Sequence, residues 1–254
     1  VHIQILGHGA PLVLIHGWAM HSGVFAPLIE RLAEHHELHL VDLPGHGHSD
    51  ERGAAVDLSN AAARIAQATP PAPWLGWSLG GLIALQAAAE QPGRVQGLIA
   101  IASSPRFVRG ADWLQAVSAE IFEQFADELG RDYRRTLERF LTLETVGSEH
   151  SREALKALRD CMFVRGEPAQ EALLQGLAML GHLDLRNELA VLDLPSLWIA
   201  GRRDRLVPPA AMRAAAELAR HGQYLCIEGA GHAPFISHVD AVVAAVLDFV
   251  GGLD

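Results

Sequence analysis

Five residues, Gly76-Trp77-Ser78-Leu79-Gly80, followed by a further glycine at Gly81, constrain this chain more than any other segment. They join a short apolar run, Trp74-Leu75, to an alanine-rich stretch of helical character from Leu82 to Glu90. A serine at such a strand-to-helix junction occupies a tight, strained turn, and its neighbours two residues away must be small for the backbones to pass. The turn lifts the Ser78 Oγ above a sheet edge. The next N–H, that of Leu79, opens a helix and is free to donate to a developing oxyanion. An ordinary glycine-rich turn fits the pentapeptide alone equally well, so the rest of the chain has to decide.

The first half alternates apolar runs with helical periodicity. Leu12 to Ile15, Leu38 to Val41, Trp74 to Trp77 and Gly97 to Ala102 read as buried strands. Between them, Val24 to His35, Leu58 to Ala68 and the stretch after Ser78 read as helices. The end of the chain resumes the alternation, with strands at Leu197 to Ala200 and Tyr224 to Ile227 and helices at Ala210 to Arg220 and Val239 to Val250. Continuously apolar strands separated by helices predict an α/β fold whose mostly parallel central sheet has helices on both faces. From about residue 106 to 184 the pattern turns all-helical: Trp113 to Leu129, Arg131 to Leu143, Ser151 to Val164 and Glu167 to Leu180. The expected organisation is a core in two parts, residues 1–105 and 185–254, with an inserted helical cap at 106–184.

Two further residues complete a chemical unit with Ser78. Asp204 follows the strand ending at Ala200, and His232 lies in the small-residue loop Gly229-Ala230-Gly231-His232 after the strand ending at Ile227. Both fall at carboxyl ends of strands, the edge where open α/β sheets place their sites. The chain order Ser, Asp, His is that of the α/β-hydrolase fold, with nucleophile, orienting acid and base in turn. A second oxyanion donor is expected from the loop His16-Gly17-Trp18, as the N–H of Trp18 beside that of Leu79, each worth about 3–4 kcal/mol to a tetrahedral oxygen. The glycine-rich turn Asp42 to Ser49 lacks a phosphate-loop pattern and is expected to support the fold near the site. The cluster Glu34 to His39 straddles a helix end and a strand start, which sends its side chains apart and argues against a metal. This chemistry requires neither a metal nor an organic cofactor.

Four blocks of the sequence resemble the pimeloyl-[acyl-carrier-protein] methyl ester carboxylesterases of biotin synthesis. They are Trp74 to Gly81, Ala102 to Phe107, Glu138 to Thr145 and Gly231 to His238. The likeness runs nearly end to end. It implies hydrolysis of the methyl ester at the far end of a pimeloyl chain whose other end is thioester-linked to acyl carrier protein. It also implies substrate contacts at Trp18, Ser78, Leu79, Phe140, Leu141, Thr142, Leu143, Glu144 and His232, with Trp77 and Phe107 as channel walls. By the same resemblance, Arg135, Arg139, Arg152 and Lys156 correspond to carrier-docking positions. Rival readings are a general short-acyl carboxylesterase, a C–C bond hydrolase, or a hydrolase-fold receptor binding a small ligand. Haloalkane dehalogenases and epoxide hydrolases are disfavoured because those families carry aspartate where Ser78 stands.

Charge gives an independent check on that partner. The chain has a net charge of −10, which argues against general nucleic-acid binding. An acidic carrier must therefore find a local basic patch. Arg131, Arg135 and Arg139 are spaced four apart, as are Arg152 and Lys156 with Arg159 close by, so each set is expected along one helix stripe. From Arg131 to Arg165 there are 8 basic and 6 acidic residues, a local net of +2 (8 − 6). No apolar stretch reaches the roughly 18 residues of a membrane span. Cys161 and Cys226 have no metal-like spacing. The expectation is a cytoplasmic monomer without disulfides.

Overall fold

The structure, a computed structural model, describes residues 1–49 and 57–253. Seven strands form one sheet: β1 (His2–Gly7), β2 (Ala10–Ile15), β3 (His36–Asp42), β4 (Ala72–Trp77), β5 (Val95–Ile101), β6 (Pro195–Gly201) and β7 (His221–Ile227). Their spatial order is β1-β3-β2-β4-β5-β6-β7, and every pairing is parallel except that of β1 with β3. The chain therefore runs from β2 outward to β3 on one side, then returns to lay β4 on the other side of β2. That reversal opens a crevice at the carboxyl ends of β2 and β4, the switch point where open α/β sheets bind ligands.

The helices of the core are α1 (Ala26–Leu32), α2 (Leu58–Ala68), α3 (Leu79–Glu90), α9 (Pro209–Leu218) and α11 (Val239–Gly251). Because β-α-β crossovers are right-handed, the reversal at β2 puts α1 and α3 on opposite faces. Contacts agree: α1 packs with α11, whereas α3 packs with α2 and, through α8 (Arg186–Val191), leads to α9. Helix α2 shows why such segments form where they do. The Asp57 side chain caps it by accepting from the Asn60 N–H at 2.8 Å, and Leu58, Ala61, Ala62, Ile65 and Ala66 make its single buried stripe. In α3, by contrast, every residue from Leu79 to Ala88 is buried, so its face is apolar all round. Alanine and glycine let that helix lie close over β4 and β5.

Between β5 and β6 lie α4 (Glu120–Leu129), α5 (Tyr133–Thr145), α6 (Ser151–Met162) and α7 (Gln170–His182). Each buries one stripe, such as Phe122, Phe125 and Leu129 in α4 or Leu137, Phe140, Leu141 and Glu144 in α5.

Several elements differ from expectation. The edge strand β1 was not anticipated; its short polar–apolar alternation gives little signal without its antiparallel partner β3. The helix expected from Val24 starts as a 3-10 turn, Ser22–Phe25, and becomes α-helical only with Pro27 in its first turn. Residues 113–119 are not helical; isolated bridges Val108↔Val117 and Gly110↔Trp113 fold this stretch back on itself, and α4 begins at Glu120. Asp132 caps α5, accepting from the Arg135 N–H, so Arg131 precedes the helix. Two short helices, α8 and α10 (Pro234–Ser237), were also unforeseen.

The start of α3 crosses β2 and β4 so closely that side chains are excluded. A Cβ on Gly80 would be driven into the Ile15 carbonyl, and one on Gly76 into the Gly80 carbonyl. Gly80→Ala should thus destabilise the protein by about 1–3 kcal/mol or more. Gly251→Ala, at a helical site with nothing within 4 Å of the added Cβ, should be neutral or slightly stabilising. Urea unfolding midpoints check the pair; equal midpoints would contradict the crossing constraint.

Candidate active site

The backbone of Ser78 holds φ 53° and ψ −118°, a region L-residues avoid unless their surroundings impose it. The imposition is visible on both sides. The Ser78 N–H donates to Ile101 O at 3.0 Å, and its carbonyl accepts from Gly81 N–H at 3.0 Å and from the Ser103 hydroxyl at 2.7 Å. Ser103, just past β5, is a support that the sequence did not reveal, since its use depends on β5 lying beside β4. The Ser78 Oγ is buried and bonded to no other group.

Asp204 and His232 meet as a buried pair, Nδ1 to Oδ2 at 2.8 Å, with both side chains fully inaccessible. Asp204 is itself aimed: its other oxygen accepts from the N–H groups of Leu206 and Val207 at 2.8 and 2.9 Å. The carboxylate so fixes the proton on Nδ1 and leaves Nε2 with its lone pair, the arrangement of a base. Nε2 has no partner. Burial opposes a charge on His232, but the charge and hydrogen bond of Asp204 raise its pKa above the ordinary histidine value. The loop is clamped against the elbow: the Trp77 indole donates to His232 O at 2.9 Å, and the two rings lie 5.7 Å apart. Ser78 follows Trp77 directly, so His232 and Ser78 share one corner of the fold.

On the neighbouring strand end, His16 sets the loop of the second expected donor. Its Nε2 accepts from Leu43 N–H at 3.0 Å, which assigns the proton to Nδ1, 2.8 Å from Gly17 O. Both bonds need the neutral ring. Burial, then the nearby His46, hold its pKa down to about 3, against the pull of Asp42. Ala19 takes φ 64°, turning the chain sharply after Trp18. Among the described residues, the amides of Trp18 and Leu79 donate to no backbone carbonyl outside the helix and sheet ladders. The turn after β3 does support this corner: Asp42 accepts from Ser22 N–H at 2.8 Å and His48 N–H at 2.9 Å, and Arg165 lies 3.2 Å away.

The helical segment closes over these groups. The Trp18 indole donates to Leu173 O of α7 at 2.8 Å, and its ring meets Phe140 of α5 edge-on at 4.5 Å. Of the five α5 positions expected to touch substrate, Phe140, Leu141 and Glu144 are buried, Leu143 is half-buried and Thr142 is exposed. Five consecutive helical residues sweep more than a full turn, so they cannot share one face. Thr142 and Leu143 instead line an outer cavity of about 410 Å³ with Ile121, Phe125, Arg139 and Val146. Phe107 is buried edge-on against Phe122, their centroids 6.3 Å apart, and Trp77 lies beneath the histidine loop against Phe235. Glu144 comes within 4.0 Å of His232 Nε2, and its backbone carbonyl accepts the His232 N–H at 3.0 Å. Burial, opposed by His232 and reinforced by Asp204, pushes its carboxyl up to about 8.

Comparison with known proteins agrees with this architecture. A family model described as the alpha/beta hydrolase fold matches residues 10–239. An esterase from Exiguobacterium antarcticum superposes with a TM-score of 0.90 at 21% identity, covering 98% of this chain and 95% of that one. An enol-lactonase from Burkholderia xenovorans LB400 gives 0.85 at 22% identity, covering 98% and 96%. The chain belongs to the α/β-hydrolase family. Among curated relatives, a pimeloyl-[acyl-carrier protein] methyl ester esterase from Xanthomonas oryzae pv. oryzae is 60% identical over 253 residues, covering 100% of both chains. One from Stenotrophomonas maltophilia is 57% identical, covering 100% of this chain and 97% of the relative. Within the α/β hydrolases, then, the chain is a member of the pimeloyl-[acyl-carrier protein] methyl ester esterase family.

The raised pKa of Glu144 has a stability consequence. In the unfolded chain its carboxyl ionises above about 4.5, whereas in the folded protein it stays protonated up to about 8. Ionisation therefore favours the unfolded state increasingly as pH rises through that window. Glu144→Gln removes the effect, so its stability relative to the native protein should grow from pH 4.5 to pH 8. Urea midpoints at pH 4.5, 6 and 8 measure it; a difference independent of pH would show that the folded carboxyl is not held neutral.

Proposed function

We propose that this protein is a serine carboxylesterase that removes the methyl group from pimeloyl-[acyl-carrier protein] methyl ester, releasing pimeloyl-[acyl-carrier protein] and methanol. The observation that carries the reading is the buried His232–Asp204 pair, clamped by Trp77 next to the strained Ser78, in a chain matched end to end by esterases of that name.

Ser78 Oγ attacks the ester carbonyl as His232 Nε2 takes its proton, and Asp204 steadies the imidazolium that forms. The tetrahedral oxygen is held by the N–H groups of Trp18 and Leu79. His232 then protonates the departing methoxy oxygen. Water repeats the sequence on the acyl-enzyme, regenerating Ser78. Each step uses groups of this chain, with the raised basicity of His232 serving both proton transfers.

The helices from residue 106 to 184 act as the cap, with Trp18, Phe140, Leu141 and Glu144 shaping the inner end of the substrate path. Phe125 at the outer cavity meets Phe140 at 5.3 Å, and Phe140 meets Trp18, giving a line of rings from surface to site. A pimeloyl chain is long, apolar and flexible enough to follow it once Phe140 shifts rotamer, while Thr142 and Leu143 contact its outer portion.

Acyl carrier protein docks on the exposed cations of α5 and α6: Arg135, Arg139, Arg152 and Lys156. Although Arg131 precedes the helix, it lines a surface cavity of about 370 Å³ together with Arg135 and Arg139. Arg139 is paired with Glu128, and Lys156 with Asp160 at 2.6 Å. Exposed pairs of this kind contribute little to stability, so an acidic partner can take them over. Arg135 lies beside Glu128, on which its charge acts, but among the described residues no salt bridge to it is formed, so it makes the cleaner probe. Arg135→Glu should lower kcat/KM for the carrier-linked methyl ester by about tenfold at low salt. It should leave a short free methyl ester within about twofold. Loss of one methyl group, read by mass spectrometry, scores both substrates. Equal losses would contradict docking on this face, and no demethylation by the unaltered protein would contradict the assigned substrate.

A further inference from the structure

We propose that Glu144 positions the water that cleaves the acyl-enzyme. The proposal rests on the serine-esterase reading above and assigns that site a residue for its second half-reaction. Glu144 occupies the last turn of α5 and grips the histidine loop twice. Its main-chain carbonyl accepts the His232 N–H at 3.0 Å, while its side chain confronts the ring, with Oε1 4.0 Å from Nε2. The backbone bond fixes that second distance. A separation of 4.0 Å is too long for a hydrogen bond, yet one water bonded to both atoms at about 2.9 Å spans it with an angle near 90°.

Among the described residues, Ser78 Oγ, His232 Nε2 and Glu144 Oε2 are each buried without a hydrogen-bond partner. Buried polar groups are nearly always paired, because leaving them unpaired destabilises the fold. Atoms left unpaired on the elbow, the histidine loop and α5 suit a site that receives oxygen atoms that come and go. Burial, against the pull of His232, keeps the Glu144 carboxyl neutral up to about pH 8. A neutral carboxyl offers a C=O acceptor, and that is the atom type required to hold one hydrogen of a water while the other points at a base.

The bond changes balance without Glu144 gaining or losing a proton. In the acyl-enzyme, Ser78 Oγ is bonded to the acyl carbon. Water passes one proton to His232 Nε2 as its oxygen bonds to that carbon, while its other hydrogen stays on Glu144 Oε1. The tetrahedral adduct then breaks its bond to Ser78 Oγ, which takes the proton back from Nε2. The acid is released, and serine and imidazole are restored.

The test separates the two half-reactions. A 4-nitrophenolate leaves without needing a proton, so its pre-steady-state burst from 4-nitrophenyl butyrate reports acylation, and the later linear phase reports water attack. Glu144→Met keeps the side-chain length and lacks the acceptor. It should acylate within about threefold of the native rate, deacylate at least about tenfold more slowly, and carry a butyryl adduct visible by intact-protein mass spectrometry. Glu144→Leu makes the same comparison, so the result does not depend on one variant folding. Glu144→Gln, whose amide carbonyl replaces the acceptor, should restore deacylation to within about threefold. Equal slowing of both phases in the apolar variants, or a Gln variant as slow as they are, would overturn the role. Absence of any 4-nitrophenolate release by the native protein would instead overturn the underlying esterase reading.

Discussion

The close crossing of α3 over the ends of β2 and β4 governs this molecule. It is possible only because Gly76 and Gly80 bear no side chain, and it forces Ser78 into a backbone conformation that its hydrogen bonds to Ile101, Gly81 and Ser103 hold in place. The same crossing lays the loop after β2 beside the elbow, so the N–H groups of Trp18 and Leu79 come from adjacent strand ends. The strain is concentrated at Ser78, and the surrounding sheet is regular enough to bear it.

Around that crossing the protein buries a set of polar groups and settles several of them by specific partners. His16 is neutral and bonded through both nitrogens; Asp42 gathers two backbone N–H groups and Arg165; Asp204 accepts two N–H groups and the His232 ring. Such networks are rigid when satisfied, and here they fix the positions of two loops that have no strand or helix of their own. Among the described residues nine buried side-chain polar atoms lack a hydrogen-bond partner, and Ser78, His232 and Glu144 account for three of them. Rigid supports around unpaired reactive atoms amount to electrostatic preorganisation.

Much of this was legible in the sequence because local rules and global fold agree. The elbow pentapeptide, the apolar strand runs and the positions of Asp204 and His232 follow from patterns within a few residues of each other, and α2 occupies the span that its helical pattern predicts. What was not legible depends on partners distant in the chain. Strand β1 is recognisable only beside β3. Residues 113–119 look helical by composition but are drawn into bridges with residues 108–110. Ser103 supports Ser78 only because β5 lies next to β4. The segment Phe140 to Glu144 read as one contact surface, whereas helical rotation divides it between an inner and an outer face. Glu144 carried one faint signal, a lone acid four residues beyond Phe140 on the inward stripe.

The central claim is that Ser78 is made nucleophilic by its place beside the His232–Asp204 pair. A fluorophosphonate reacts with an activated serine and ignores ordinary hydroxyls, so labelling followed by peptide mass spectrometry tests the claim directly. A single adduct on Ser78 is expected, abolished by His232→Ala, with Ser103 and Ser104 unmodified. Failure to label Ser78 in the native protein, or equal labelling without His232, would contradict it.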